Sequence, residues 1–82
     1  MRLDDFLSTV GVVKRRTLAK EISLKGQVEV NGRRVKPSYQ VKLSDVITLK
    51  GKDGMTFEVL AIPPGSVSKE RRAEFFKVLS QN

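Results

Sequence analysis

The chain has 82 residues, enough for one domain with a modest core, because a domain of this size buries only about 60–65% of the surface its unfolded chain exposes. It contains no cysteine and no histidine, which excludes a disulfide framework, a Cys nucleophile, an imidazole base and a zinc site of the usual ligands. Its charge is +7, from 16 Lys and Arg against 9 Asp and Glu, a balance that favours polyanionic partners.

Leu3, Phe6, Leu7 and Val10 follow the i, i+3, i+4, i+7 spacing of an amphipathic helix. Asp4 and Asp5 fall in its first turn, where negative charge suits the helix dipole, and Gly11 supplies the stop. The first helix is therefore predicted over Arg2 to Val10. A second follows over Arg15 to Leu24, with Leu18, Ala19 and Ile22 as the stripe that docks on helix one and Gly26 as its left-handed cap. Arg16 and Lys20, four apart, share its outer face.

Val28 to Lys36 alternates around Asn31-Gly32, the strongest short-range hairpin signal. Val28 and Val30 are predicted to face the core. Val41 to Leu43 is read as an extension of the returning strand, and Ser44-Asp45 as a turn. Strands are predicted at Val46 to Leu49 and at Thr56 to Ile62, joined by a tight turn at Gly51 to Gly54. Pro63-Pro64-Gly65 ends the sheet. Ser66 or Ser68 then caps a final helix carrying Ala73, Phe75, Phe76, Val78 and Leu79. The predicted class is α+β, with two short N-terminal helices, a small antiparallel sheet and a C-terminal helix. Residues 1–62 form the binding domain, and residues 63–82 form a helix packed on it or serving as a partner surface.

The charge is concentrated. Lys14, Arg15, Arg16, Lys20, Lys25, Arg33, Arg34 and Lys36 oppose only Glu21 and Glu29, a local +6 that leaves +1 for the rest of the chain. A phosphate backbone needs this regular spacing of cations, with Arg binding bidentately and Lys as a point charge. The competing reading is a basic face kept for solubility. Aromatics are few, four Phe and Tyr39, and all are better placed for packing than for stacking on bases. That favours folded RNA read by shape and backbone over single strands. No catalytic constellation, metal set or cofactor motif stands out, so the chain is expected to be neither an enzyme nor cofactor-dependent. No run approaches the roughly 18–20 apolar residues of a membrane span, and the first residues lack a secretory pattern. A cytoplasmic, non-membrane protein is expected.

Arg2-Leu3-Asp4, Lys14-Arg15-Arg16-Thr17-Leu18-Ala19-Lys20-Glu21, Lys25-Gly26-Gln27-Val28-Glu29-Val30-Asn31-Gly32 and Val35-Lys36-Pro37-Ser38 occur in that order. Together they resemble the αL RNA-binding motif, the domain named after small-subunit ribosomal protein S-four. The resemblance covers about the first fifty residues. Because little chain lies outside it, the sequence is similar to the stand-alone members, the ribosome-associated heat-shock protein and the RqcP type.

The resemblance implies binding of structured ribosomal or transfer RNA through the second helix and hairpin, at the large ribosomal subunit, by a monomer. Its role would lie in translation or stalled-ribosome quality control. It assigns contacts to Arg2, Lys14, Arg15, Arg16, Thr17, Lys20, Lys25, Gln27, Asn31, Lys36 and Ser38, to which the basic hairpin adds Arg33 and Arg34. For Asn31, Thr17 and Ser38 a purely local backbone role is also open. The alternative function is a protein-interaction module of a ribonucleoprotein acting through its C-terminal helix.

Overall fold

The computed structural model describes residues 1–51 and 54–81. Helices α1 (Leu3–Thr9) and α2 (Arg16–Leu24) are followed by strands β1 (Val28–Val30), β2 (Arg33–Arg34), β3 (Val46–Leu49) and β4 (Met55–Val59). A 3₁₀ helix at Lys69–Glu74 then leads into β5 (Phe76–Gln81). The three helices and one five-stranded antiparallel sheet, in the order β2-β1-β3-β4-β5, make the α+β class expected from the pattern. The predicted turn at Gly51 to Gly54 includes residues 52 and 53, which lie outside the described residues.

Leu3, Phe6, Leu7 and Val10 are all buried, as their spacing demands. They pack on the sheet face formed by Val28, Val30, Ile47, Phe57 and Val59. Phe6 stacks near-parallel on Phe57, with ring centroids 6.4 Å apart, and Phe57 meets Phe76 edge-on at 5.4 Å.

Helix α2 is rolled relative to its predicted stripe. Ala19 and Ser23 are its buried residues, Ile22 is half-buried, and Leu18 is 44% exposed. Small side chains at 19 and 23 let the helix lie close to its neighbours. The Ser23 hydroxyl is satisfied by donating to the Ala19 carbonyl at 2.8 Å.

The tail corrects a larger expectation. Helix persists only as the six-residue 3₁₀ segment, and Phe76–Gln81 pairs antiparallel with β4 instead of continuing it. The predicted serine cap is also missing, since Ser68 precedes this helix but makes no side-chain cap hydrogen bond. The physical reason is the free edge of β4, whose backbone groups β5 pairs. Phe75 is buried and Phe76 packs on Phe57, whereas Val78 and Leu79 stay about half exposed.

Residues 41–43 likewise form no strand. The N-terminus makes only an isolated bridge, Arg2 to Gln40, with the Val41 N–H donating to the Met1 carbonyl. The strand predicted to reach Ile62 ends at Val59. No helix among the described residues is long and apolar enough to cross a membrane.

Candidate nucleic-acid interface

The organising group of the basic face is an acid. Asp4 begins as a first-turn residue of α1, but its side chain is only 2% exposed. Its carboxylate accepts from Arg2 Nε at 3.1 Å and Arg2 Nη2 at 3.2 Å, a two-pronged contact, and from the Asp5 N–H at 2.8 Å. Arg16 Nε, at the start of α2, lies 3.6 Å from Oδ2 of the same carboxylate, the oxygen that Arg2 Nη2 also meets. A buried carboxylate needs such partners. Here they are two guanidiniums whose side chains remain 42% and 53% exposed. The effect is to hold two arginines from separate elements side by side with their outer edges in solvent.

The loop after the hairpin completes this arrangement. The Asp4 N–H donates to the Pro37 carbonyl at 3.1 Å, and the Leu3 N–H to the Tyr39 carbonyl at 2.7 Å. Buried Pro37 is thereby fixed against the start of α1, with exposed Lys36 and Ser38 on either side of it. Lys20 stands one turn beyond Arg16 on the same exposed flank of α2. A shallow groove of about 240 Å³, lined by Ser23, Leu24, Arg34, Val35, Lys36 and Pro37, separates the end of α2 from the hairpin's returning strand.

Helix α2 ends in a Schellman motif. The Gly26 N–H donates to the Ser23 carbonyl at 3.1 Å and the Gln27 N–H to the Ile22 carbonyl at 2.9 Å. Gly26 has φ +75°, and a Cβ there would run into the Arg34 guanidinium. The left-handed backbone is what requires glycine, whereas the exposed Arg34 side chain lying across it would only have to move aside. This closure fixes Lys25, the C-cap residue, and Gln27 at the joint between helix and strand.

Asn31 and Gly32 have φ of +52° and +82°, as a type I′ turn needs. The Asn31 amide is engaged at both ends, donating from Nδ2 to Asp45 at 3.0 Å and accepting the Val46 N–H at 2.9 Å. Asp45, itself buried, also accepts from the Tyr39 hydroxyl at 2.8 Å and the Lys42 N–H at 2.9 Å. Desolvation raises the Tyr39 phenol above its ordinary pKa, and the hydrogen bond to Asp45 and that carboxylate's charge push it further up. The phenol therefore stays a donor at neutral pH. Tyr39 and Asn31 thus join the hairpin to β3 through one carboxylate.

Apart from Asn31, held in the turn, the other twelve residues singled out from the sequence divide in space. Arg2, Arg16, Lys20, Arg34, Lys36 and Ser38 belong to the flank organised by Asp4, α2 and the Pro37 loop. Lys14 and Gln27 border a different groove on the far side of α2. Arg15, the N-cap residue of α2, and Thr17 are exposed at its entrance, Lys25 is exposed at its end, and exposed Arg33 sits at the hairpin turn.

Two residues of consequence were not singled out from sequence. Asp4 looked like a helix-dipole charge. Lys50 lies outside the basic segment, yet its Nζ is 2.7 Å from Glu29 and offsets one of the two acids there. The hairpin-to-β3 pairing, Glu29 opposite Thr48, brings them together.

Comparison with known proteins bears on this surface. The S4 domain family model matches residues 1–47, the stretch that holds all thirteen residues singled out from the sequence. A Bacillus subtilis (strain 168) protein named RQC P-site tRNA stabilizing factor is 37% identical over 82 residues, covering 99% of this chain and 94% of that one. A Helicobacter pylori (strain J99) protein of the same name is 47% identical over 64 residues, 77% of this chain and 76% of that protein. Vibrio cholerae Heat Shock Protein 15, whose solved structure is described as trimeric, matches with a TM-score of 0.89 at 30% identity, covering 98% of this chain and 82% of that one.

Proposed function

We propose, since the chain belongs to the S4 domain family, that it is a ribosome-associated RNA-binding factor acting in stalled-ribosome quality control. It grips structured ribosomal or transfer RNA by the phosphate backbone and catalyses no reaction. Arg2, Arg16, Lys20 and Lys36 are the principal contacts, with Lys14, Arg15, Thr17, Lys25, Gln27, Arg33, Arg34 and Ser38 around them. Asn31 serves the turn instead. It acts as a monomer at the large ribosomal subunit.

The observation that carries the reading is the buried Asp4 carboxylate paired with both Arg2 and Arg16. Preorganised guanidiniums lose less freedom when they meet a phosphate, so more of each charge-assisted hydrogen bond survives as affinity. The names of the two bacterial relatives, each a stabilising factor for P-site tRNA, support the choice of RNA and process. The scarcity of exposed aromatics supports backbone over base-stacking recognition.

Sedimentation of the tagged protein through a ribosome gradient, followed by sequencing of crosslinked RNA, tests this. Co-migration with the large subunit and crosslinks concentrated in ribosomal or transfer RNA are expected. Protein that stays at the top of the gradient at low salt, with crosslinks scattered over messenger RNA, would overturn it.

A further inference from the structure

A second groove runs along the opposite flank of α2, away from Arg16 and Lys20. Leu18 and Ile22, one turn apart, lie about 200° around the helix from Arg16 and Lys20. With Leu49 they form an apolar floor, and Lys14, Gln27 and Lys50 stand around its rim. The space is about 360 Å³, within the roughly 300–1,000 Å³ of small-ligand sites. Leu18 is 44% exposed on a helix whose other exposed positions are mostly polar or charged.

The rim is rigid where it would have to discriminate. Gln27 is the last residue of the Schellman motif, and its carbonyl accepts the Lys50 N–H at 2.8 Å, tying the end of α2 to the end of β3. Lys50 is paired with Glu29. Lys14, exposed in the α1–α2 connection, is the rim cation nearest the start of α2, next to Arg15 and Arg16 in sequence.

We propose that this groove receives one unstacked base of the bound RNA. The inference rests on the RNA-binding reading above and adds a base-contacting site to it. The base lies against the aliphatic floor, where burial of its face replaces the aromatic stacking that this chain does not offer. The Gln27 side-chain amide, which offers both donor and acceptor from a backbone anchored on either side, meets the edge of the base. Lys14 takes the adjoining phosphate. Two features point to a nucleotide rather than to a protein side chain: the lysine beside an apolar floor, and continuity through Lys14 and Gln27 with the basic surface.

Three RNA hairpins with one common stem test the proposal, carrying a bulged adenosine, a bulged abasic nucleotide, or no bulge. Their affinities are measured by fluorescence anisotropy at low salt with the unaltered chain and with Leu18→Ser, whose fold is checked by circular dichroism. The unaltered chain is expected to bind the adenosine bulge roughly fivefold to tenfold tighter than the abasic one. Leu18→Ser is expected to bring that ratio to about one while leaving the unbulged stem bound as before. Equal affinity of the unaltered chain for all three hairpins, as a protein-binding groove would give, overturns the proposal and leaves the backbone-binding reading standing. So does a ratio that persists in Leu18→Ser. Binding to none of the three removes the RNA-binding reading and the groove proposal together.

Discussion

Reversing Arg16 and Lys20 together, as Arg16→Glu with Lys20→Glu, eliminates measurable binding to structured RNA while the chain remains folded. Both side chains lie on the exposed flank of α2, and the double reversal lowers the chain's charge by four, from +7 to +3. Each charge-assisted hydrogen bond to a phosphate contributes about 1.5–3 kcal/mol. Losing two such bonds therefore costs about 3 kcal/mol or more, over a hundredfold in affinity, before any repulsion between the new carboxylates and the phosphates. The cost to the fold is small by comparison. The Arg16 contact with buried Asp4 is long, at 3.6 Å from a half-exposed side chain, and Asp4 keeps its closer two-pronged pairing with Arg2, so the double reversal lowers the melting midpoint without unfolding the chain. Anisotropy titration with a structured RNA such as transfer RNA reads the first effect and a thermal melt the second. Unchanged affinity in a folded variant would remove α2 from the interface.

Asp4→Asn has the second largest effect, and its sign is informative. The carboxylate accepts from two guanidinium nitrogens of Arg2 and one backbone N–H, with Arg16 Nε in ion-pair range at 3.6 Å. Asparagine keeps the shape but offers one oxygen in place of two and turns an amide donor toward the arginines. A buried acceptor lost in this way costs about 1–3 kcal/mol. For a domain of this size each kcal/mol lowers the melting midpoint by about 4–8 °C. Below the melt, RNA binding weakens roughly tenfold, because two released side chains must be ordered again at about 0.5–1.5 kcal/mol each. If Asp4 merely competed with phosphate for the arginines, the substitution would tighten binding instead. An increase in affinity would therefore overturn the positioning role.

Local sequence was sufficient where local chemistry decides the structure. Asn31-Gly32 can close a hairpin in one register, and that register sends Val28 and Val30 inward and puts Arg33 and Arg34 on the returning strand. Gly26 likewise marks the end of α2 because few other residues adopt φ +75° without strain.

It failed where distant chain decides. Asp4 and Asp5 are alike in sequence. Only the loop at Pro37 to Tyr39, closing on the start of α1, makes one of them a buried hub and leaves the other half exposed. The run from Phe75 to Leu79 is apolar on too many sides to reveal its period, so the open edge of β4 settles it as strand. Leu18 fits a helical stripe as well as Ala19 does. The close approach allowed by Ala19 and Ser23 rolls Leu18 outward, into the groove assigned to a base.

The central claim is that Arg2, Arg16 and Lys20 neutralise phosphates of a structured RNA, and salt dependence reads this directly. Log K falls with log salt by about 0.7–0.9 for each phosphate neutralised. The measurement is that slope for the unaltered chain and for the triple variant Arg2→Ala, Arg16→Ala, Lys20→Ala with transfer RNA. A slope shallower by about 2–3 in the variant is the predicted result. Parallel lines, with affinity lower by a constant factor or not at all, would contradict it.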